Sequence, residues 1–430
     1  MVVTGGSATP SPSASGQTFP ETWIETALRL LAEPTAPFHE QNVIAAVLAE
    51  ADRLGLESRV DRFGNVLVEL NAAEASGRAL PLLITAHMDH PGFWAQRMLG
   101  PGRLLASWVG RVPRGLFEGA SVRFYCGGGT STQLPLPHGD SGGAAEAGFA
   151  LAGTPVEGRV REVQAYEGEG DWARVELEVE GEVQPGSIGQ WSLPPAELDG
   201  DFLRATAVDD VAGVASLLCV MQAFAAAQRS GGALPERRVT LLFTRAEEAG
   251  FVGCTEFCRE RVAQGLAGTA QVVGVEMSMA SADAPLGEGV VVRVGDRRNV
   301  FDPATTDHLT RVAQQLAESV PGFAYQRKLM SGGTCESSVF QRYLGRSGAV
   351  CLPLANYHNH HAGTRPGGLE REAIHRQDFV GLVRLLIALT LESPSADDAA
   401  GTDTAWFEDL SDRQAGLLFD AAGDPEGRPL

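Results

Sequence analysis

The chain has 430 residues and a mass of 45.4 kDa, more than one ordinary domain holds, since domains mostly run about 100–200 residues. A hydrophobic content of 44% excludes a disordered protein, and the length excludes a small disulfide scaffold. The 34 basic and 54 acidic side chains give a net charge of −20, which argues against nucleic acid and acidic lipid as partners. The composition therefore predicts a globular, enzyme-sized protein.

The cysteines and the first residues indicate a compartment. The six cysteines are scattered without a CxxC pair, as is typical of reduced thiols in a cytoplasm. Residues 1–19 form a Ser/Thr/Gly/Pro tract without the basic start and apolar run of a signal peptide, and we expect a flexible tail. No apolar run reaches the ~20 residues of a membrane span. These features predict a cytoplasmic protein with no membrane partner.

The first elements after this tail are predicted to be two helices and a hairpin. Apolar residues at helical spacing predict helices over residues 21–32 and about 40–54. Residues 58–70 read as two strands around a turn at Gly64 and Asn65, the strongest hairpin signal in the chain.

Four short apolar runs farther along each end in a group that can bind a metal. They are LLITA before His87, VTLLFT before Glu247 and Glu248, VVGV before Glu276, and AVCLPLA before His358. Each run is typical of a buried strand in a parallel sheet. Because sites in open α/β sheets form beyond the carboxyl ends of the strands, we expect these groups to converge on one crevice.

The sequence pattern changes between the first and second of these runs. Residues 93–202 contain short β-like pieces separated by Gly/Pro-rich turns, which predicts an inserted all-β domain; the α/β pattern resumes with an apolar helix over 209–228. The sequence thus predicts an α/β fold with a mixed, largely parallel sheet and helices on both faces. Its catalytic domain is split between residues 20–92 and 203–393, and residues 394–430 form an acidic tail.

Histidines cluster at two of the four strand ends. Five of the nine fall into two groups, His87 with His90, and His358 with His360 and His361. A neutral imidazole at a strand end is a good zinc ligand, and the carboxylate of Asp89 lies where it can orient the ring of His87. A lone histidine is more often an ordinary hydrogen-bonded residue, so the clustering is what favours metal binding.

Acidic residues occur at the remaining positions. Asp209 and Asp210 precede an apolar helix. They are either an ordinary N-terminal cap of that helix or the source of a carboxylate that bridges two cations about 3.5–4 Å apart. Glu247 and Glu248 form either a solvated loop or a metal ligand beside a general base. Glu276 lies in an apolar setting that requires an arginine or a cation as its partner.

Taken in order, these motifs resemble the M42 family of dinuclear zinc aminopeptidases, within the larger group that includes the M28 and M20 peptidases. The order is HMD, DDxxG, EE, a strand-terminal acid and a late YH histidine, and the similarity runs over residues 23–391. It includes the DRFGN turn at 61–65, the β insertion, and the SGGTCESSVF segment at 331–340. Five motifs in order with an insertion in the right place are specific.

The resemblance implies two divalent cations per chain, zinc in the first place, with cobalt and manganese as alternatives. His87 and Glu276 would be terminal ligands on opposite cations, and Asp209 would bridge the pair. Glu248 and His358 would complete the two sets of ligands.

The remaining implied roles are catalytic. Glu247 would be the general base that deprotonates a metal-activated water, and Asp89 would hold His87 in place. The peptide bond between Asp209 and Asp210 would be cis.

Several residues depart from the family pattern and indicate an outlying member. His90 stands where the family usually has Glu, Glu276 where it usually has Asp, and Cys335 where it usually has Asp. The family's Tyr-x-His spacing falls on Asn359, which leaves His358 and His360 as candidates for the late ligand. We favour His358.

The implied function is a two-metal aminopeptidase that removes the N-terminal residue of short peptides. The resemblance also implies that the β domain mediates a homo-oligomer, a dodecamer being one form. One alternative keeps the metal site but acts as an M20-like amidohydrolase or carboxypeptidase. A second is a non-catalytic binding module. Side-chain specificity is expected to lie in loops around residues 331–336 and 299–302.

Overall fold

The computed structural model describes residues 19–71, 80–126, 154–167, 172–361 and 368–392. The helices among them are α1 (Phe19–Leu31), α2 (Gln41–Leu54), α3 (Val211–Ser230), α4 (Val252–Ala263), α5 (Pro303–Ser319), α6 (Glu336–Tyr343) and α7 (Arg376–Leu391). Two short 3₁₀ turns occur at Arg114–Leu116 and Tyr357–Asn359. The strands form a mixed sheet, a closed barrel and a small antiparallel sheet.

The mixed sheet has eight strands. In spatial order they are β1 (Glu57–Val60), β2 (Val66–Asn71), β12 (Val239–Thr244), β3 (Leu82–His87), β13 (Gln271–Met279), β16 (Ser347–Leu354), β14 (Val290–Gly295) and β15 (Tyr325–Leu329). The four central strands β12, β3, β13 and β16 run parallel to one another. Their residues are almost all buried, because a parallel sheet is covered on both faces.

Helices cover both faces of this sheet. Helices α1, α2, α3, α5 and α7 contribute to the large apolar core on one face, and α4 and α6 pack against the other. Helix α3 is long and apolar enough to cross a membrane, with a mean hydropathy of 1.7, but 67% of that window is buried inside the protein. It is therefore the central helix of the core.

Between β3 and α3 the chain forms a closed antiparallel barrel. Its strands are β4 (Gly92–Gly100), β5 (Arg103–Val109), β8 (Trp172–Val179), β7 (Thr154–Glu167), β6 (Ser121–Cys126) and β9 (Ile188–Trp191). Large aromatic side chains fill the interior, among them Phe93, Trp108 and Trp191. The alternating exposure of β8 is the period expected of a strand with one face in a core.

A three-stranded antiparallel sheet lies beside the start of α3. It contains β10 (Glu197–Asp199), β11 (Phe202–Ala205) and β17 (Glu372–His375). Strand β11 leads into residues 206–210, and β17 is its neighbour. This sheet therefore brings a late segment of the chain next to Asp209.

The structure confirms the predicted fold class, an α/β domain with a largely parallel sheet and an inserted all-β part. The hairpin around Gly64 and Asn65 is also confirmed, since β1 pairs antiparallel with β2. The domain limits at residues 93 and 202 stay a prediction. The tails at 1–18 and 393–430 and the segment 127–153 of the insertion lie outside the described residues.

Candidate active site

The four parallel strands carry the predicted site residues to one edge of the sheet. His87 is the last residue of β3, and Glu247 and Glu248 lie in the turn that follows β12. His358 lies in the turn after β16, whereas Glu276 is inside β13, three residues before its end. Because parallel strands end at the same edge, residues from four distant parts of the chain meet there.

Asp209 lies at the centre of this cluster, between two pairs of side chains. Its Oδ1 atom is 3.5 Å from Nε2 of His87, which is 3.8 Å from Oε1 of Glu276. Its Oδ2 atom is 3.9 Å from Nε2 of His358, which is 3.0 Å from Oε1 of Glu248. Within each group the ligand-type atoms lie within 4.8 Å of one another. One carboxylate thus presents one oxygen to each of two groups.

This grouping corrects one expectation from the family resemblance. His87 and Glu276 were expected on opposite cations, but the structure brings them together on the Oδ1 side of Asp209. Glu248 and His358 form the group on the other side. The reason is the strand order, since β3 and β13 are hydrogen-bonded neighbours. His360 belongs to neither group among the described residues, so His358 is the favoured late histidine.

Glu247 lies beside the first group, with Oε2 4.0 Å from Nε2 of His87. His87, Glu247 and Glu248 also form a third set of ligand-type atoms within 4.8 Å of one another, one that does not include Asp209. The main-chain N–H groups of Glu247 and Glu248 donate to the two oxygens of Asp89, at 2.9 and 3.0 Å. Nδ1 of His87 donates to the main-chain carbonyl of Asp89 at 3.1 Å, while the nearest carboxylate oxygen of Asp89 is 3.6 Å away. The carboxylate of Asp89 therefore fixes the glutamate turn, and its main chain orients His87.

The DDxxG motif has a steric reason. The peptide bond between Asp209 and Asp210 is cis, as the resemblance implied. Oδ2 of Asp210 accepts a hydrogen bond from the main-chain N–H of His87 at 3.2 Å. A Cβ atom at Gly213 would overlap the Asp210 carboxylate, so this position in α3 accommodates only glycine.

The late histidine turn is held by Glu372, a residue that no sequence motif indicated. Oε1 of Glu372 accepts from the main-chain N–H of His358 at 2.7 Å. Oε2 accepts from the N–H groups of Val208 and Asp209 at 2.8 and 2.9 Å. His358 has a positive φ of 52°, which a β-carbon-bearing residue adopts only when its surroundings hold it. One buried carboxylate thus positions a residue from each half of the cluster.

His90 and Asn359, both departures from the family pattern, contact each other. Nδ1 of His90 donates to the main-chain carbonyl of Asp209 at 2.6 Å, and its Nε2 lies 3.2 Å from Oδ1 of Asn359. Asn359 in turn donates to the carbonyl of Thr206 at 2.8 Å. Burial lowers the pKa of His90, so a neutral ring can donate to only one of its two acceptors.

The cluster strongly favours positive charge. Burial, together with the carboxylates of Glu276 and Glu248, raises the pKa of Glu247 well above its usual value despite the opposing effect of His87. Burial alone would lower the pKa of His358, but Glu248 outweighs it and raises that pKa to about 9. Such a concentration of buried carboxylates requires cationic partners.

The donors fit two divalent cations. Imidazole and carboxylate are ligands that zinc, cobalt and manganese accept. Oδ1 of Asp209 is buried and has no hydrogen-bond partner within the described part of the chain. Nδ1 of His87 and Nδ1 of His358 both donate to main-chain carbonyls, which leaves each Nε2 facing Asp209. In metal sites a second hydrogen bond of this kind fixes the ligating nitrogen.

A cavity of about 500 Å³ opens beside Glu276. Its walls include Met277, Met279, Met330, Lys328, Arg293, Cys335 and Tyr357. The predicted specificity loop at residues 331–336 contributes five positions, Ser331 to Cys335, whereas residues 299–302 do not line it. Both expectations about side-chain specificity stay predictions.

Arg293 is the unusual group in this cavity. It projects from β14 and is only 2% exposed, yet within the described residues no carboxylate lies within 4.0 Å of it and Nε has no hydrogen-bond partner. Asp296 does not serve as its partner, because its oxygens accept from Cys335, Ser338 and two main-chain N–H groups of the following turn. A charged residue within the apolar run VVVRVG was the available sequence signal.

The chain resembles known peptidases in sequence and in fold. The model of the M42 glutamyl aminopeptidase family matches residues 173–371. The TET1 peptidase of Pyrococcus horikoshii is 20% identical and aligns over 86% of this chain and 99% of its own, with a TM-score of 0.63.

Two further archaeal structures are similar. An aminopeptidase of Desulfurococcus kamchatkensis is 17% identical over 90% of this chain and 99% of its own, with a TM-score of 0.65. A TET aminopeptidase from a marine sediment thaumarchaeote is 17% identical over 88% and 99%, with a TM-score of 0.65. The sequence similarity to the M42 peptidase family thus covers residues 173–371, and the similarity to the three solved structures is one of fold.

Proposed function

We propose that the protein is a two-cation aminopeptidase that removes the N-terminal residue of short peptides. The observation that carries the proposal is Asp209, whose two oxygens face two separate groups of imidazole and carboxylate. A bridging carboxylate of this kind is the usual core of a two-metal hydrolytic site. Asp209, Glu247, Glu248 and Glu276 carry four negative charges, which two divalent cations would balance.

In this proposal the first cation would be held by His87, Asp209 and Glu276, and the second by Asp209, Glu248 and His358. Bound divalent cations would polarise the scissile carbonyl and make a water molecule more acidic, and zinc, cobalt or manganese can each do so. Glu247 takes the proton of the attacking water at its carboxylate and passes it to the leaving amine.

The cavity beside Glu276 supports a preference for an acidic N-terminal side chain. Arg293 offers a guanidinium without a protein carboxylate, and such a group binds a carboxylate through paired hydrogen bonds. Lys328, the only lysine of the chain, lines the same cavity. Glu276 and Asp283 also line the cavity, but neither lies within 4.0 Å of Arg293. The side chain of an N-terminal Glu or Asp would pair with Arg293, whereas a leucine side chain would leave it unpaired.

This preference is tested with two peptides that differ only in an N-terminal Glu or Leu. Wild type should favour the Glu peptide in kcat/KM, and Arg293→Gln should lower that ratio about 10- to 100-fold, because hydrogen bonds to charged groups are worth about 1.5–3 kcal/mol. Cys335→Asp places a carboxylate beside Arg293 and should lower the ratio in the same direction. If both variants keep the wild-type ratio of kcat/KM between the Glu and Leu peptides, Arg293 does not recognise the N-terminal side chain.

The same arginine would also bind the free carboxylate of an N-acylated amino acid, which keeps the M20-like amidohydrolase as the second candidate. Incubation of a pool of unblocked and N-acetylated peptides, with and without chelator, separates the two when the products are identified by mass spectrometry. Loss of N-terminal residues from the unblocked half alone supports the aminopeptidase. Deacylation or C-terminal trimming contradicts it, and no product would favour a binding module.

We also propose a homo-oligomer, supported by the fold similarity to a TET1 peptidase that can assemble into a tetrahedron or a large octahedral shell. A dodecamer is one such assembly. Scattering or sedimentation should give a mass many times 45.4 kDa, and a mass near that of one chain would reject the assembly. The cytoplasm as compartment stays a prediction.

A further inference from the structure

Four consecutive main-chain N–H groups in the turn that carries Glu247 and Glu248 donate to buried side chains. The N–H of Arg245 donates to Oδ1 of Asn65 at 3.1 Å, and the next N–H, that of Ala246, donates to Oε1 of Glu40 at 3.0 Å. The N–H groups of residues 247 and 248 donate to Asp89, as described above. Three side chains from three separate segments therefore fix four consecutive amides.

Glu40 belongs to this set and has no role in the proposed chemistry so far. It is fully buried just before α2, and its Oε2 accepts from Nε of Arg245 at 2.7 Å. Its Oε1 accepts from both Ala246 and the N–H of Phe38, the latter at 2.9 Å. Phe38 and Ala246 both have positive φ values, 68° and 52°. A single carboxylate oxygen thus holds two residues in a backbone conformation that side chains disfavour.

Phe38 connects this arrangement to the barrel. Its ring lies 6.4 Å from Trp94 in β4 and 6.1 Å from Trp172 in β8, measured between centroids, and these two indoles are 5.8 Å apart. Arg245 also donates to the carbonyl of Phe38 at 2.8 Å. A continuous set of contacts therefore runs from two barrel strands through Phe38 and Glu40 to Ala246, the residue before the general base.

We propose that Glu40 is a positioning residue for Glu247 and that it couples the general base to the contact between the barrel and the catalytic domain. The proposal rests on the proposed function for its catalytic consequence. Ala246 and Glu247 are adjacent, so loss of the Glu40 contact frees the backbone on one side of the base while Asp89 still holds the other. Small misplacements of a catalytic group cost large factors in rate.

Glu40→Gln tests the first half of the proposal. The amide oxygen can still accept from Ala246, but an NH₂ group now faces the donor of Arg245. We expect kcat to fall about tenfold, with KM within about twofold and with unchanged cation content. Asp378→Asn is the matched control, because Asp378 is also buried and accepts from two main-chain N–H groups, those of Gly287 and Gly289. It should lower Tm and leave kcat within about twofold.

Phe38→Ala tests the link to the barrel. We expect a smaller fall in kcat, about two- to fivefold, and little further fall when it is combined with Glu40→Gln, because both changes act on one connected unit. Leu234→Ala is the control, since Leu234 is similarly exposed, at 41% against 39% for Phe38, and precedes β12 at the opposite edge of the sheet. It should leave kcat unchanged. Additive losses in the double variant would contradict the coupling.

Hydrogen exchange supplies a readout that does not depend on activity. In Glu40→Gln and Phe38→Ala the amides of residues 245–250 should exchange about tenfold and about threefold faster than in wild type, while those of β6 stay unchanged. Faster exchange without any aminopeptidase turnover in wild type would sustain the coupling and reject the proposed function. Unchanged exchange together with unchanged kcat would overturn the coupling whatever the reaction is.

Discussion

The interior of the barrel and the carboxyl edge of the mixed sheet are both buried, but the first consists of aromatic side chains and the second of imidazoles and carboxylates. In the barrel, Phe93 lies 4.6 Å from Trp108 and 4.9 Å from Trp191 between ring centroids, in edge-on contacts that apolar burial alone stabilises. At the sheet edge, His87 and Asp209 are buried among further carboxylates. Only the barrel interior follows the ordinary rule that buried side chains are apolar.

The difference shows where stability and chemistry are located. A buried carboxylate costs free energy unless a cation or hydrogen-bond donors offset the loss of water, so a cluster of them lowers stability. A residue in the barrel should therefore affect unfolding more than turnover, and a residue at the sheet edge should do the reverse. Three substitutions examine this division, from the largest expected effect on turnover to the smallest.

Glu247→Gln should have the largest effect. The amide cannot take a proton from water, so kcat should fall about 10²- to 10⁴-fold. The cations should stay bound, because each keeps three ligands in the proposed arrangement, in which Asp209 is shared by His87 with Glu276 and by Glu248 with His358. Removal of a buried charge should leave Tm unchanged or slightly raised. Steady-state kinetics and calorimetry on the same preparation measure both effects. Full activity would show that another group is the base.

Glu372→Gln should have an intermediate effect. One of its oxygens becomes a donor that faces main-chain N–H groups of either His358 or Asp209, so the two halves of the cluster lose their common support. Cation affinity should fall about 10- to 100-fold, and activity should return at saturating metal. Metal titrations followed by activity measure this shift. A loss that no metal concentration restores would show that Glu372 does more than position ligands.

Phe124→Ala should have the smallest effect on turnover and a large one on stability. Phe124 is fully buried in the barrel and packs against Gly189, so its removal leaves a cavity that costs about 3–5 kcal/mol of the free energy of unfolding. The kcat of folded protein should stay within about twofold. Denaturant unfolding and steady-state kinetics on the same preparation measure the two effects. A loss of kcat as marked as the loss of stability would show that the barrel core and the site are not energetically separate.

The difference between the apolar barrel core and the polar site at the sheet edge could be predicted from the sequence only in part. The strands before His87, Glu247 and His358 were predictable because a buried parallel strand is a continuous apolar run, and a polar group at its end is conspicuous. Their meeting at one edge followed from the parallel topology. The barrel was predictable as β structure from its short alternating pieces.

The supporting residues were not predictable. Glu372 and Glu40 are single polar residues that bind main-chain N–H groups far away in sequence, so their roles depend on contacts that the fold creates. Arg293 was conspicuous as a charge within an apolar run, but its place in the cavity depends on the fold. The pairing of His87 with Glu276 required the strand order β3–β13, which no local pattern contains. The carboxylate of Asp89 was expected to orient His87, but the ring donates to the main-chain carbonyl of Asp89 and the carboxylate binds the glutamate turn, a difference that depends on main-chain geometry.

The central claim is that one carboxylate, Asp209, bridges two cations, and a count of bound metal tests it most directly. Purified protein is saturated with zinc or cobalt, freed of excess metal by dialysis and measured by elemental mass spectrometry, beside Asp209→Asn and Glu247→Gln. We expect two cations per chain in wild type and in Glu247→Gln, and one or none in Asp209→Asn. Fully active wild type with a single cation, or Asp209→Asn that retains two, would contradict it.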